Sequence, residues 1–336
     1  METLNTEIHN YRNLLKHYIQ IRDEQSLYGA EQLSKAFIKD NVPPEEIINL
    51  HIRAMAELYP DSPDHFQDSM NFLLEVMISY GIAHQEYRSL REEQSELKSE
   101  IAVAANMQDT LLTTTKPEVD GLDIGVVSVP AHQMSGDYYH FLKGEDDSLG
   151  IAVADVIGKG IPAALCMSMI KYSMDSLPEA TMSPKTILKN LNRVVERNVD
   201  SSMFITMFYA QFLPYENKLW YASAGHEPGF HYDAATKTFE EIKAKGLVLG
   251  VTPDTDYREY ERTIDKGDMV ILLTDGVTEC RQGDRFIETD EVLGVIKQYA
   301  DLPAQEMVNK VYKHFERMQN FQLRDDFTLI VLRKEV

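Results

Sequence analysis

Positive charge is in short supply in this 336-residue chain: 33 Lys and Arg stand against 54 Asp and Glu, a formal net charge of −21. Nucleic acids and anionic membranes are themselves polyanions, so general binding to either is disfavoured. Cysteine is nearly absent. Cys166 and Cys280 lie in apolar or strand-end contexts without CxxC spacing, which excludes a disulfide framework and suits a reducing cytoplasm. No apolar run is long enough to span a membrane, and Met1-Glu-Thr-Leu-Asn5 carries acid and polar residues where a signal peptide has a basic and then an apolar region. The expectation is a soluble, unprocessed, cytoplasmic protein. None of the ten histidines forms an HxH or HExxH pattern, which disfavours a zinc hydrolase. Gly158-Lys159-Gly160 lacks GxxxxGK[ST] spacing and has Gly where the metal-binding hydroxyl of a P-loop belongs.

What the chain does have is ordinary globular composition, 43% hydrophobic and 26% charged, and enough length for a large core or two domains. Residues 1–82 read as an all-α bundle of about four helices, because Leu14, Leu15, Tyr18 and Ile21, then Leu33, Ala36 and Phe37, recur at helical steps. Asn41-Val-Pro-Pro-Glu-Glu46 is a helix start signal, and Tyr59-Pro-Asp-Ser-Pro63 a break. No cluster of acids, histidines or glycines suits this part to chemistry, so binding is its expected job. Residues 83–118 read as a helical linker continuing a pattern that begins at Phe72. With Leu90, Leu97, Ala104 and Leu111 at d, the a positions are Tyr80, Tyr87, Gln94, Ile101 and Gln108. That is a weak coiled-coil seam, suited to a homodimer whose association a partner can switch. The alternative is one long helix packed on its own domain.

After Pro117 the texture changes to strands and turns. Strands are predicted at Leu122–Val129, Asp137–Lys143, Leu149–Val156, Met203–Leu213, Lys218–Ser223, Gly229–Tyr232, Thr238–Ile242, Tyr257–Ile264, Met269–Thr274 and Phe327–Arg333. Helices are predicted at Ala163–Leu177, Pro184–Val199, Thr289–Ala300 and Pro303–Gln319. Many strands with short turns, and helices in two pairs, imply an α+β sandwich of two sheets covered by helices over residues 119–336.

Four acidic sites fall at strand ends. Ile151-Ala-Val-Ala-Asp155 is a buried strand delivering a carboxylate, followed by Gly158 and Gly160, which permit a sharp turn, and Pro162, which suits a helix start. Asp137 opens a strand after Ser135-Gly136; Asp275 closes Val270-Ile-Leu-Leu-Thr274; Asp325 and Asp326 precede the last strand. Each alone is by default a turn former. Together, oxygen ligands without His or Cys describe a site for hard divalent cations, Mg²⁺ or Mn²⁺. Two such ions would bind and activate a water and clamp a phosphoryl group for hydrolysis, with Asp155 the natural bridging ligand.

SGDYY, ADVIGKGIPAA, SAGHEP, the Gly246–Gly250 GxxLG, LLTDGVTE and DDFTLIVL, in this order, resemble the SpoIIE-like bacterial branch of the PPM-type protein serine/threonine phosphatases. Ala104–Leu112 resembles the helix preceding that domain, and the whole chain is similar to the RsbU-type stress-response phosphatases. The resemblance implies an α-β-β-α sandwich with two metal ions, bound by Asp155, the Val156 carbonyl, Asp275, and Asp325 or Asp326, with Asp137 completing the site. Gly225 and His226 belong to a family hallmark; whether His226 is a catalytic acid, a substrate contact or a structural hydrogen bonder that organises the turn stays open. The resemblance further implies a phosphorylated anti-anti-sigma factor of the STAS fold as substrate and a switch kinase-like activator at residues 1–82. Better-known PPM phosphatases follow the bridging Asp with Gly-His; Val156-Ile157 departs from this, so the leaving group takes its proton from water or elsewhere and basal turnover is expected to be low. Two alternatives remain at the level of sequence: a non-catalytic dimeric scaffold on this fold, and a metal hydrolase of small phosphoesters.

Overall fold

The computed structural model describes the chain apart from residues 1, 41, 62, 145–146, 159, 178–181, 201–202, 284 and 336, and apart from the side chains of residues 2–9, 38–39, 65, 67–69, 72, 75–76, 79 and 282. Asn41, Ser62 and Lys159, each part of a sequence signal, lie outside the described residues. The chain forms two compact units, residues 1–98 and 99–336.

The first unit holds α1 (Glu2–Ile21), α2 (Glu24–Lys39) and α3 (Pro44–Leu58), and the larger part of α4 (Asp64–Leu112), an unbroken helix of 49 residues. Pro44 starts α3 with Glu45 and Glu46 in its first turn, where a missing N–H costs nothing and the helix dipole favours acids. Leu50 and Ala54, four residues apart, form its buried stripe. Helix α4 starts at Asp64, eight residues before Phe72, the predicted point. Tyr80, Tyr87, Leu90, Leu97 and Leu111 are exposed along it. Gln108 is not: read as a seam position, it is instead only 4% exposed and packs on its own unit.

In the second unit follow β1 (Leu122–Val129), β2 (Asp137–Lys143), β3 (Leu149–Val156), α5 (Ile161–Asp175), α6 (Pro184–Asn198), β4 (Ile205–Leu213), β5 (Lys218–Ala224), β6 (Gly229–Asp233), β7 (Thr238–Ile242), β8 (Tyr260–Thr263) and β9 (Met269–Leu273). The chain ends with α7 (Asp275–Thr278), β10 (Arg281–Gln282), β11 (Arg285–Phe286), α8 (Thr289–Gln298), α9 (Ala304–Met318) and β12 (Phe327–Lys334). Among the described residues two five-stranded antiparallel sheets form, ordered β1-β12-β9-β6-β7 and β2-β3-β4-β5-β8. The short β10–β11 ribbon was not foreseen, since two-residue strands carry no periodicity. No described helix is long and apolar enough to cross a membrane.

Alternation along each strand builds the layers. In β3, Ile151 and Val153 face inward and meet Val270 and Leu272 of β9 and Ile330 and Leu332 of β12 between the sheets. Ala152, Ala154 and Val156 face outward under Met167 and Ile170 of α5 and Leu188 and Leu191 of α6. On the other sheet, Ile271, Leu273, Leu329 and Val331 pack under Val292 and Ile296 of α8 and Met307, Val311 and Phe315 of α9. Strands apolar on both faces therefore give four layers, α-β-β-α.

The covering helices sit close. A Cβ on Gly125 of β1 would lie 2.2 Å from the carbonyl oxygen of Ala304, at the start of α9. Gly125→Ala is expected to push α9 off the sheet and destabilise the unit by about 1–3 kcal/mol; an unchanged denaturation midpoint would show that the layers are looser than this.

Candidate metal centre

Extending the inward positions of each strand to one pole of the sandwich changes their chemistry from apolar to polar. Asp137, Asp155 and Thr206 stand side by side in the register of β2, β3 and β4. On the facing sheet Ser128 and Thr328 are paired, their hydroxyls 2.9 Å apart, and Thr274 lies next to Thr328 across the β9–β12 ladder. The two polar rungs meet: the Thr274 hydroxyl donates to Asp137 Oδ2 at 2.6 Å and accepts from the Thr328 N–H at 3.2 Å.

The acids before β12 divide their work. Asp326 turns into the Ser135–Gly136 loop, taking N–H bonds from Ala131 (2.7 Å) and Gly136 and the Ser135 hydroxyl (3.2 Å). Its oxygens are occupied by protein donors. The only hydrogen bond to the Asp325 side chain among the described residues comes from the N–H of Asp326, at 3.0 Å. Asp275 begins α7 directly after β9. A Cβ on Gly136 would lie 3.2 Å from Asp155 Oδ1, 3.4 Å from Asp326 Oδ2 and 3.6 Å from the Val156 carbonyl oxygen, so the absent side chain leaves these oxygens facing one space. Gly158, Gly160 and Gly225 all have positive φ, 148°, 76° and 71°, which fits turn formation.

Burial, reinforced by the charges of Asp275, Asp325 and Asp326, pushes the Asp155 carboxyl up to about 7. Burial, with Asp325 and Glu279, pushes Asp275 up to about 6. Burial likewise raises Asp137, against the opposing bond from Thr274. Among the described residues no three Asp, Glu, His or Cys side chains are gathered tightly enough to hold an ion as they stand. The charged neighbours that act on Asp155 and Asp275 are themselves carboxylates. An oxygen-only donor set of this kind fits hard divalent cations, whose charge offsets the repulsion.

His226 is not aimed at this space as a free acid. Thr206 Oγ1 lies 2.8 Å from Nδ1 and the Leu273 carbonyl 3.2 Å from Nε2, so a neutral ring with its proton on Nε2 satisfies both contacts. It ties β4 of one sheet to the end of β9 in the other, just before Asp275. Burial, against the Leu273 bond, lowers its pKa to about 4. Sequence reading missed Thr274, Ser135, Thr206 and Thr328. The available signal was the parity of each strand, which marks all but Ser135 as inward.

Residues 145–335 match the family model described as stage II sporulation protein E (SpoIIE), and residues 9–83 match that of the phosphoserine phosphatase RsbU N-terminal domain. The chain is 55% identical over 326 residues to phosphoserine phosphatase RsbU of Bacillus subtilis, covering 97% of each. Among solved structures it resembles the SiaA-PP2C domain of Pseudomonas aeruginosa, with a TM-score of 0.62 and 20% identity over 72% of this chain and 98% of that one. It also resembles the PP2C phosphatase domain of SpoIIE from Bacillus subtilis with a fragment of its regulatory domain, with a TM-score of 0.57 and 17% identity over 65% and 64%. At those identities the structural likeness shows the fold.

The unfolded chain protonates His226 near the ordinary value of about 6.5, whereas the fold holds it neutral down to about 4. Between these values the unfolded state binds more protons, so this residue's contribution to stability is present above about 6.5 and is lost as pH falls toward 4. The raised carboxyls work in the opposite sense, gaining as pH falls. Thermal melting from pH 7 to pH 4.5 should therefore fall less steeply in His226→Asn than in the unsubstituted chain; equal slopes would assign the loss to other groups.

Proposed function

This chain belongs to the SpoIIE family, with the PP2C-type fold and the N-terminal domain of RsbU-type phosphoserine phosphatases, and on that premise we infer that it removes phosphate from phosphoserine or phosphothreonine on a protein. The observation that carries the reading is the pair of facing polar rungs with uncompensated carboxylates at the pole of the sandwich. Asp155, the Val156 carbonyl, Asp275 and Asp325 are proposed to hold two Mn²⁺ or Mg²⁺ ions, with Asp137 completing the site and Asp326 holding the loop that carries Asp137. Bound there, the ions supply the charge that activates water and neutralises the phosphoryl oxygens. The residues do the rest. Thr274 holds Asp137 in place, and His226, its nitrogens engaged, holds the end of β9 that delivers Asp275. Ile157, 41% exposed beside the site, has no proton to give, so the leaving oxygen takes its proton from water or elsewhere and basal turnover is expected to be low.

The proposed substrate is a phosphorylated anti-anti-sigma factor of the STAS fold, in a cytoplasmic stress response. Residues 1–82 are proposed to receive a switch kinase-like activator, residues 83–118 to act as a coiled-coil linker in a homodimer, and residues 119–336 to form the phosphatase. The match over residues 9–83 and the exposed Tyr87, Leu90 and Leu97 on α4 support this.

Phosphate release from a phosphoserine protein should require Mn²⁺ or Mg²⁺, vanish with EDTA, and fall at least about 100-fold in Asp155→Ala, since charge stabilisation at such a site amounts to several kcal/mol. Turnover surviving both treatments would rule out the reading, and faster turnover of nucleotides than of phosphoproteins would redirect it to small phosphoesters.

A further inference from the structure

We propose that Gln108, near the C-terminal end of α4, is a positioning residue for the metal centre. Its primary amide pairs with both main-chain groups of one residue: the Ser135 N–H donates to Oε1 at 3.1 Å, and Nε2 donates to the Ser135 carbonyl at 2.9 Å. Nε2 also lies 3.4 Å from Met167 Sδ on α5. Among side chains only Asn and Gln offer an acceptor and a donor side by side in this way, and Gln supplies the longer reach. The residue is 4% exposed, so these bonds are made away from water.

What the amide grips is the turn on which the site is built. The Ser135 hydroxyl donates to Asp326 Oδ2 at 3.2 Å and stands 3.1 Å from the Asp137 N–H. The Gly136 N–H donates to the same Asp326 oxygen, and the Gly136 carbonyl accepts the Val156 N–H at 3.1 Å. One clamp on Ser135 therefore fixes Asp137, Asp326 and the backbone of Val156 at once. Rotation or withdrawal of the helix end loosens this turn, and with it the spacing of the carboxylates.

The inference rests on the metal-dependent reading above, so its test begins with direct binding of Mn²⁺ alone, followed by electron paramagnetic resonance, before any activity is measured. In Gln108→Leu, which keeps the bulk and removes both bonds, the Mn²⁺ concentration for half-saturation should rise about 10-fold or more, the range for residues that orient metal ligands. The KM for phosphoprotein at saturating Mn²⁺ should stay unchanged. Gln108→Glu, which keeps the acceptor for the Ser135 N–H and loses the donor, should fall between the two. Asn106→Ala, exposed on the same helix, should match the unsubstituted chain. A folded Leu variant with unaltered Mn²⁺ affinity overturns the assignment; should that variant fail to fold, unaltered affinity in the Glu variant does so. An unsubstituted chain that binds no Mn²⁺ overturns the metal reading and this assignment together.

Discussion

Carboxylates packed at the buried end of a sandwich repel one another, and the surrounding structure has to hold them in place against that repulsion. Asp155 shows the scale of the constraint, its carboxyl pushed up to about 7 by burial and by its acidic neighbours. The means of restraint share one property. Thr274, Ser135, the N–H groups of Ala131 and Gly136, the neutral ring of His226 and the amide of Gln108 are all uncharged. They fix the acids or their loops without cancelling their charge. A Lys or Arg in their place would have settled the cluster and removed its attraction for cations.

The sandwich makes this possible by keeping the rest of its interior dry and two-sided. Because β3, β9 and β12 are apolar on both faces, each inner position is fixed by packing above and below. Changing the residue type at the end of each strand then places polar groups without moving the backbone. The acids come from β2, β3, the β9–α7 junction and the entry to β12, so the centre depends on the relative position of both sheets. His226 and the Thr274–Asp137 bond cross that gap at the point where misalignment matters most.

Much of this was legible in the sequence because alternation is a local signal. Each of the ten predicted strands overlaps an observed one, and the long ones agree nearly residue for residue. The acids stood out because each breaks an apolar run beside a glycine or a turn. The choice between Asp325 and Asp326 was not legible, because the partners that occupy Asp326 come from a loop about 190 positions away. The direction of Gln108 was hidden for the same reason: a heptad records which helix face is less polar, not what that face meets. His226 stayed ambiguous because its two partners belong to strands on different sheets.

The facing rungs also bear on how this protein would respond to selection for heat resistance. Neutral residues of similar size at positions 137 and 155 would relieve the crowding of charge and let the pole pack like the rest of the interior. Robustness and the proposed chemistry thus compete for the same few side chains, and a lineage drifting toward toughness would be expected to lose this cluster of acids first while keeping its shape.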